Sequence, residues 1–186
     1  MQFDFLANWD YCMKNKPLLI LLLSVLTFVS CKDDFHIWKE ANEQWLADNK
    51  PIIDSLENAP IKDGYQRAGI TPSGIQYIVY HNGFGATAKR NSQVILSYEN
   101  YLIDGTKVGA IDGNALDLET MPDGWKEMIC DRGLKQGAYF KMFCPWNLAF
   151  GKDGNKVSTA SRFFIPPYST LISTIRIIDV RNMKPE

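Results

Sequence analysis

The chain of 186 residues has only two histidines, His36 and His81, and four cysteines, Cys12, Cys31, Cys130 and Cys144. So few, so scattered, they cannot supply the closely spaced ligand set of a zinc site. Charge of one sign is also missing: 20 lysines and arginines face 21 acids, for a net charge of -1. With no basic run, a protein held to nucleic acid by phosphate contacts is excluded. The apolar run at residues 18–29 is twelve residues long, short of the roughly 20 that span a bilayer. No internal repeat or low-complexity tract is present. A hydrophobic fraction of 46% with 22% charged residues excludes wholesale disorder. The length suits one domain of ordinary size plus an appendage.

The short apolar run has the length of a signal-peptide core, with Lys14 and Lys16 ahead of it and small Ser30 just before Cys31. Asp4 and Asp10 are unusual in a signal n-region. A start at Met13 gives a cleaner signal, Met-Lys-Asn-Lys-Pro and then the apolar run, and is expected to be the true one. Phe28-Val29-Ser30-Cys31 resembles the lipobox of bacterial lipoproteins, with Phe28 where leucine is usual. Lys32-Asp33-Asp34 resembles the lysine-acid-acid signals that send some Gram-negative lipoproteins to the outer surface. Diacylation at Cys31 would supply the two-chain anchoring that a single acyl group cannot. The expectation is an outer-membrane lipoprotein, facing the periplasm or the cell surface.

In the mature chain, Trp38, Ala41, Trp45, Ile52, Ile53 and Leu56 recur at helical spacing. Asp33 or Asp34 suits the cap, and Pro51 should kink this helix or begin a second one. Its tryptophans need a partner, favoured here to be the parent domain over a second copy. Residues 57–73, with Pro60, Gly64, Gly69 and Pro72, read as a linker. From Gly74 the pattern changes to strands: 75–80, closed by Asn82-Gly83, then 94–102, with Val94, Leu96, Tyr98 and Asn100 on one face. Asp104-Gly105 turns into residues 106–108. Residues 122–129 are the helix candidate, with Pro122 in its first turn; strands follow at 138–143 and 170–180. The expected segments are 1–30 signal, 31–73 anchored helical extension and linker, and 74–182 the main domain, of class α+β.

The order of motifs is specific. Ser73-Gly74-Ile75-Gln76-Tyr77 is followed by Ser97-Tyr98, Leu102-Ile103-Asp104-Gly105-Thr106, Gly124-Trp125-Lys126-Glu127, Leu148-Ala149-Phe150-Gly151 and Ile165-Pro166-Pro167-Tyr168-Ser169-Thr170-Leu171. Together they resemble the FKBP family of peptidyl-prolyl isomerases over about residues 74–180. The resemblance implies an antiparallel half-barrel sheet wrapped around one short helix, with an apolar pocket between them and an N-terminal helical extension outside. It implies proline-containing polypeptides as substrates and neither metal nor cofactor. By the same resemblance Trp125 is the pocket floor and Tyr98 an aromatic wall. Ile165 lines the exit with its side chain and backbone amide, and Leu116 or Leu118 stands where the family has a phenylalanine. Val108, Met121 and Phe150 complete the set.

Several positions depart from the family's pattern. Val108-Gly109 stands in place of phenylalanine-aspartate, Phe150 in place of a tyrosine whose hydroxyl donates to ligand, and Ser173 in place of a back-wall phenylalanine. Pro122 replaces a residue whose N–H binds substrate, and proline has no such donor. The expected function is a prolyl isomerase or folding helper with attenuated activity. The alternative is a non-catalytic peptide-binding lipoprotein on the same fold, and a third is a structural lipoprotein whose groove is filled by its own side chains. Asp112-Gly113-Asn114 with Asp117 and Glu119 lacks the glycine and glutamate positions of a calcium loop. Cys130 and Cys144 could pair in an oxidising compartment; the sequence does not set their separation.

Overall fold

The computed structural model describes residues 34–59, 66–155 and 163–182. The signal segment, Cys31 and the middle of the expected linker lie outside the described residues. Helix α1 (Asp34–Asn58) opens the described chain and runs uninterrupted through Pro51, so no second helix begins there. Then come β1 (Arg67–Ile70), β2 (Gln76–Asn82), β3 (Gln93–Tyr101) and β4 (Lys107–Asp117). A 3-10 turn (Leu118–Thr120) leads to helix α2 (Asp123–Lys126), which continues as a π-helical stretch (Glu127–Asp131). Strand β5 (Ala138–Cys144), a 3-10 turn (Trp146–Leu148) and β6 (Leu171–Arg181) complete the order. The six strands form one antiparallel sheet, ordered β1-β2-β5-β6-β3-β4. This is the expected α+β architecture, an open sheet with one short helix.

Alternation explains which face is buried. Val94 and Leu96 of β3, Phe140 and Met142 of β5, and Leu171, Ile175 and Ile177 of β6 are all buried. They close over Trp125, Met128 and Ile129 of the helical segment in one cluster with Leu118 and Leu134. A helix of four residues cannot stand alone in water; α2 is held by this cluster. The β3–β4 turn follows from Asp104-Gly105: Gly105 takes φ +84, and the Thr106 N–H donates to Asp104 Oδ1 at 2.8 Å.

Three expectations need correcting. The segment 57–73 is not a linker throughout: Glu57 and Asn58 belong to α1, and Arg67–Ile70 pairs with β2 as an edge strand. Four residues, Arg67-Ala68-Gly69-Ile70, carry too little alternation to announce a strand. The buried stripe of α1 is also rotated from the expected one. Ala41 and Ile52 are exposed, whereas Asn42, a polar residue, is fully buried. The helix packs on its own domain, as favoured. Trp45 lies 5.6 Å from Phe143, ring to ring, and Gln76 accepts from Asn49 Nδ2 and donates to the Leu46 carbonyl, both at 2.7 Å. Strand β4 extends to Asp117, well past the expected 108. The acids Asp112 and Asp117 sit in that strand, and Asp112 accepts from Ser97 Oγ across to β3 at 2.7 Å.

Candidate functional site

Pro122 starts α2 with φ -54 and ψ 147. Having no N–H, it wastes no donor there, and its carbonyl accepts from the Trp125 and Lys126 amides at 3.0 and 3.3 Å. Gly124 brings the helix close to β5, where a Cβ would meet Cys144 Sγ at 2.3 Å and the Leu148 carbonyl at 3.2 Å. That approach seats the Trp125 indole in the core, 2% exposed. Tyr98 stands edge-on to it, ring centroids 4.9 Å apart at 85°, a favourable quadrupole arrangement. Burial pushes the Tyr98 hydroxyl above its ordinary pKa, so it stays neutral in this hollow.

The other expected residues gather around this pair. Val108, Leu118 and Ile165 are buried in the same cluster as Trp125, and Tyr98, Leu116, Met121 and Phe150 pack against it. Of the two leucines, Leu118 is fully buried and Leu116 only partly so. One feature differs from expectation. The Ile165 N–H donates to the Asn155 carbonyl at 3.0 Å, and the Ile165 carbonyl accepts from Asn155 at 2.8 Å. Its backbone amide is therefore engaged in a bridge and is not offered to a ligand, and its side chain is buried.

Beside Val108 a groove of about 470 Å³ opens between Leu102, Asp104, Thr106, Lys107, Phe163, Phe164 and Pro166. Phe164 and Phe163 are 51% and 39% exposed. These two rings were not singled out from the sequence; their place directly before Ile165-Pro166-Pro167 was the available signal. Gly109 leaves a gap where a Cβ would stand 3.4 Å from the Tyr98 ring and 3.3 Å from Asn100 Nδ2. Near it, Asn100 Oδ1 and Ser173 Oγ, opposite each other on β3 and β6, are buried without a hydrogen-bond partner among the described residues, as is Trp125 Nε1. Small polar groups thus stand at the position where the resemblance implies an aromatic back wall. A second groove of about 550 Å³ is lined by Tyr98 with Glu99, Ile111, Asp112, Tyr139 and Arg176; Trp125 lines neither groove.

Cys130 and Cys144 are free thiols. Burial, then Glu127 and Asp123, push the Cys144 thiol far above its ordinary value. A native state that keeps this proton longer than the unfolded chain does is fully favoured below pH 9. The advantage is lost as pH rises beyond that, by at most about 1.4 kcal/mol per pH unit for one group. Urea unfolding at pH 8 and pH 10.5 should show this decline, and Cys144→Ala should flatten it. An equal slope in that variant would refute the assignment.

A peptide bond is kept planar by resonance behind a barrier of about 18–20 kcal/mol. Twisting it breaks the resonance and shrinks the carbonyl dipole, so a dry aromatic hollow favours the twisted form over the planar one. Sheet, short helix and buried indole thus define an FKBP-like domain. The family model for FKBP-type peptidyl-prolyl cis-trans isomerase matches residues 85–178, and the chain belongs to that family. It is 31% identical over 123 residues to the FKBP-type peptidyl-prolyl cis-trans isomerase FkpA of Escherichia coli K12, covering 61% of this chain and 42% of that protein. It is 28% identical over 116 residues to the outer membrane protein MIP of Legionella longbeachae, covering 60% of this chain and 46% of that protein. The chain thus spans less than half the length of these two relatives. The crystal structure of a peptidyl-prolyl cis-trans isomerase from Pseudomonas syringae pv. tomato superposes with a TM-score of 0.61 at 19% identity, over 82% of this chain and 100% of that one.

Proposed function

We propose that this chain is a prolyl cis-trans isomerase acting on exported, proline-containing polypeptides, tethered to the bacterial envelope through lipidated Cys31 and working at an attenuated rate. The observation that carries the reading is the buried Trp125 indole under the edge of Tyr98, ringed by Val108, Leu118, Met121, Phe150 and Ile165. Family membership supports the reaction, and the outer-membrane name of the Legionella relative supports the envelope. The proline ring sits on Trp125, and Tyr98 and Phe150 exclude water while the bond twists. Attenuation follows from missing partners for the rotating carbonyl. Gly109 has no carboxylate, Phe150 no hydroxyl and Pro122 no N–H, and the Ile165 N–H is already engaged.

The test is acceleration of prolyl-peptide isomerisation by the lipidated protein and by its Gly109→Asp/Phe150→Tyr variant. At 109 the neighbouring atoms must yield a few tenths of an ångström, and both are side-chain atoms. Each restored hydrogen bond contributes about 0.5–1.5 kcal/mol, so each substitution should raise kcat/KM by about two- to tenfold. Peptide binding without acceleration, in the parent and the variant alike, would select a second reading, a non-catalytic binding module. The engaged Ile165 amide is the observation that favours that alternative.

A further inference from the structure

The chain from Ile165 to Thr170 carries one wall of the pocket, and α1 holds it from behind. The Thr170 N–H, fully buried, donates to Asn42 Oδ1 at 2.7 Å. Asn42 Nδ2 in turn donates to the Trp38 carbonyl at 2.8 Å, which fixes the orientation of the amide. One turn earlier on the helix, Trp38 Nε1 donates to Ser169 Oγ at 3.0 Å, and that hydroxyl donates to the Pro166 carbonyl at 2.7 Å. A line of hydrogen bonds therefore runs from the helix to the residue next to Ile165, and Pro166 also lines the groove mouth.

Between these anchors Tyr168 adopts φ +60, a left-handed conformation that a bulky residue keeps only where its surroundings enforce it. The Tyr168 N–H donates to the Gly151 carbonyl at 3.0 Å, and its ring is held by the 3-10 turn at Trp146–Leu148 together with α1. The Tyr168 ring meets Trp146 edge-on at 5.1 Å, and Lys39 lies 5.6 and 5.4 Å from the two ring centroids. Trp146 Nε1 donates to Glu43 Oε1 at 3.2 Å. Helix and sheet belong to one compact unit. Unseating the helix would leave the Thr170 N–H buried and unpaired, so the contact is made whole or not at all.

We propose that α1 is a positioning element of the prolyl site, with Trp38 and Asn42 setting the conformation of the wall that carries Ile165. The proposal rests on the reading of the Trp125 hollow as the prolyl pocket. Its test compares the full chain with Trp38→Phe, which keeps the ring and deletes the donor, and with Asn42→Ala. Asn42→Asp retains the acceptor, and Ile52→Ala alters the exposed side of the same helix. Amide hydrogen exchange is read at Ile165, Tyr168 and Thr170, and kcat and KM are read on a prolyl peptide. Trp38→Phe and Asn42→Ala should speed exchange in the wall and lower kcat/KM by about two- to tenfold each. Exchange in β2 and β5 should stay at the parent rate. Asn42→Asp should restore slow Thr170 exchange, and Ile52→Ala should match the parent.

Parent-like exchange in the wall, or faster exchange with unchanged turnover, would overturn the proposal. If Asn42→Ala does not fold, Trp38→Phe decides. Should the parent itself show no isomerisation, the functional reading fails separately. Exchange together with the Kd of the same peptide then tests the positioning role: a peptide Kd unchanged by Trp38→Phe would end it.

Discussion

Trp125→Ala is expected to abolish prolyl-peptide turnover and to lower the stability of the domain by about 3–5 kcal/mol, the range for deleting a fully buried large aromatic. Both effects have one source. The indole is 2% exposed and sits in the same cluster as Phe140, Leu118 and Ile175, so its loss opens a void that the short α2 cannot close. Trp125→Phe separates the two roles. It keeps an aromatic floor under Tyr98 while shortening the ring, so the fold should survive with a smaller loss and turnover should fall less than in the alanine variant. Urea unfolding supplies the stability and isomerisation kinetics the function. Turnover at the parent rate in folded Trp125→Ala would place the chemistry elsewhere on the molecule. The Trp125 Nε1 atom has no hydrogen-bond partner among the described residues, so the floor contributes through its apolar face; removing the N–H alone forfeits no bond.

The sheet was legible in the sequence because its strands carry their own evidence. Alternation in β3 placed Val94, Leu96 and Tyr98 on one face, and Asp104-Gly105 announced the turn that follows. The short helix was legible over residues 122–129 from Pro122 at its first turn; its division into α2 and a π-helical stretch was not. Parts set by tertiary contact were not legible. Strand β1 earns its place by pairing with β2, and Asn42 is buried because Thr170, far along the chain, needs an acceptor. Ile52 looked like core by its chemistry, yet the helix turns it outward at 59% exposure. The same limit held at the site. Its apolar members are named from the motif order, but the engagement of the Ile165 amide by Asn155 is a pairing between two irregular segments, which spacing does not report.

Gly124→Ala is expected to lower both stability and turnover, through backbone placement alone. The added Cβ would lie 2.3 Å from Cys144 Sγ, 3.2 Å from the Leu148 carbonyl and 3.5 Å from Ile75 Cδ1. Cys144 is fully buried on a central strand, so its sulfur has no open space to retreat into, and α2 must move instead. Overpacking of this kind costs about 1–3 kcal/mol, and the shift carries Trp125 away from Tyr98. Removing the sulfur should relieve most of the strain. In a Cys144→Ala background the tightest contact left is the one with the Leu148 carbonyl, so the double variant should be more stable than the sum of the two single losses predicts. A double-mutant cycle by urea unfolding measures this coupling. Additive losses would show that helix and strand do not meet through this pair. The glycine of the Gly124-Trp125 motif and the cysteine of β5 are then one device: the missing Cβ admits the sulfur, and the sulfur fills the space beside α2.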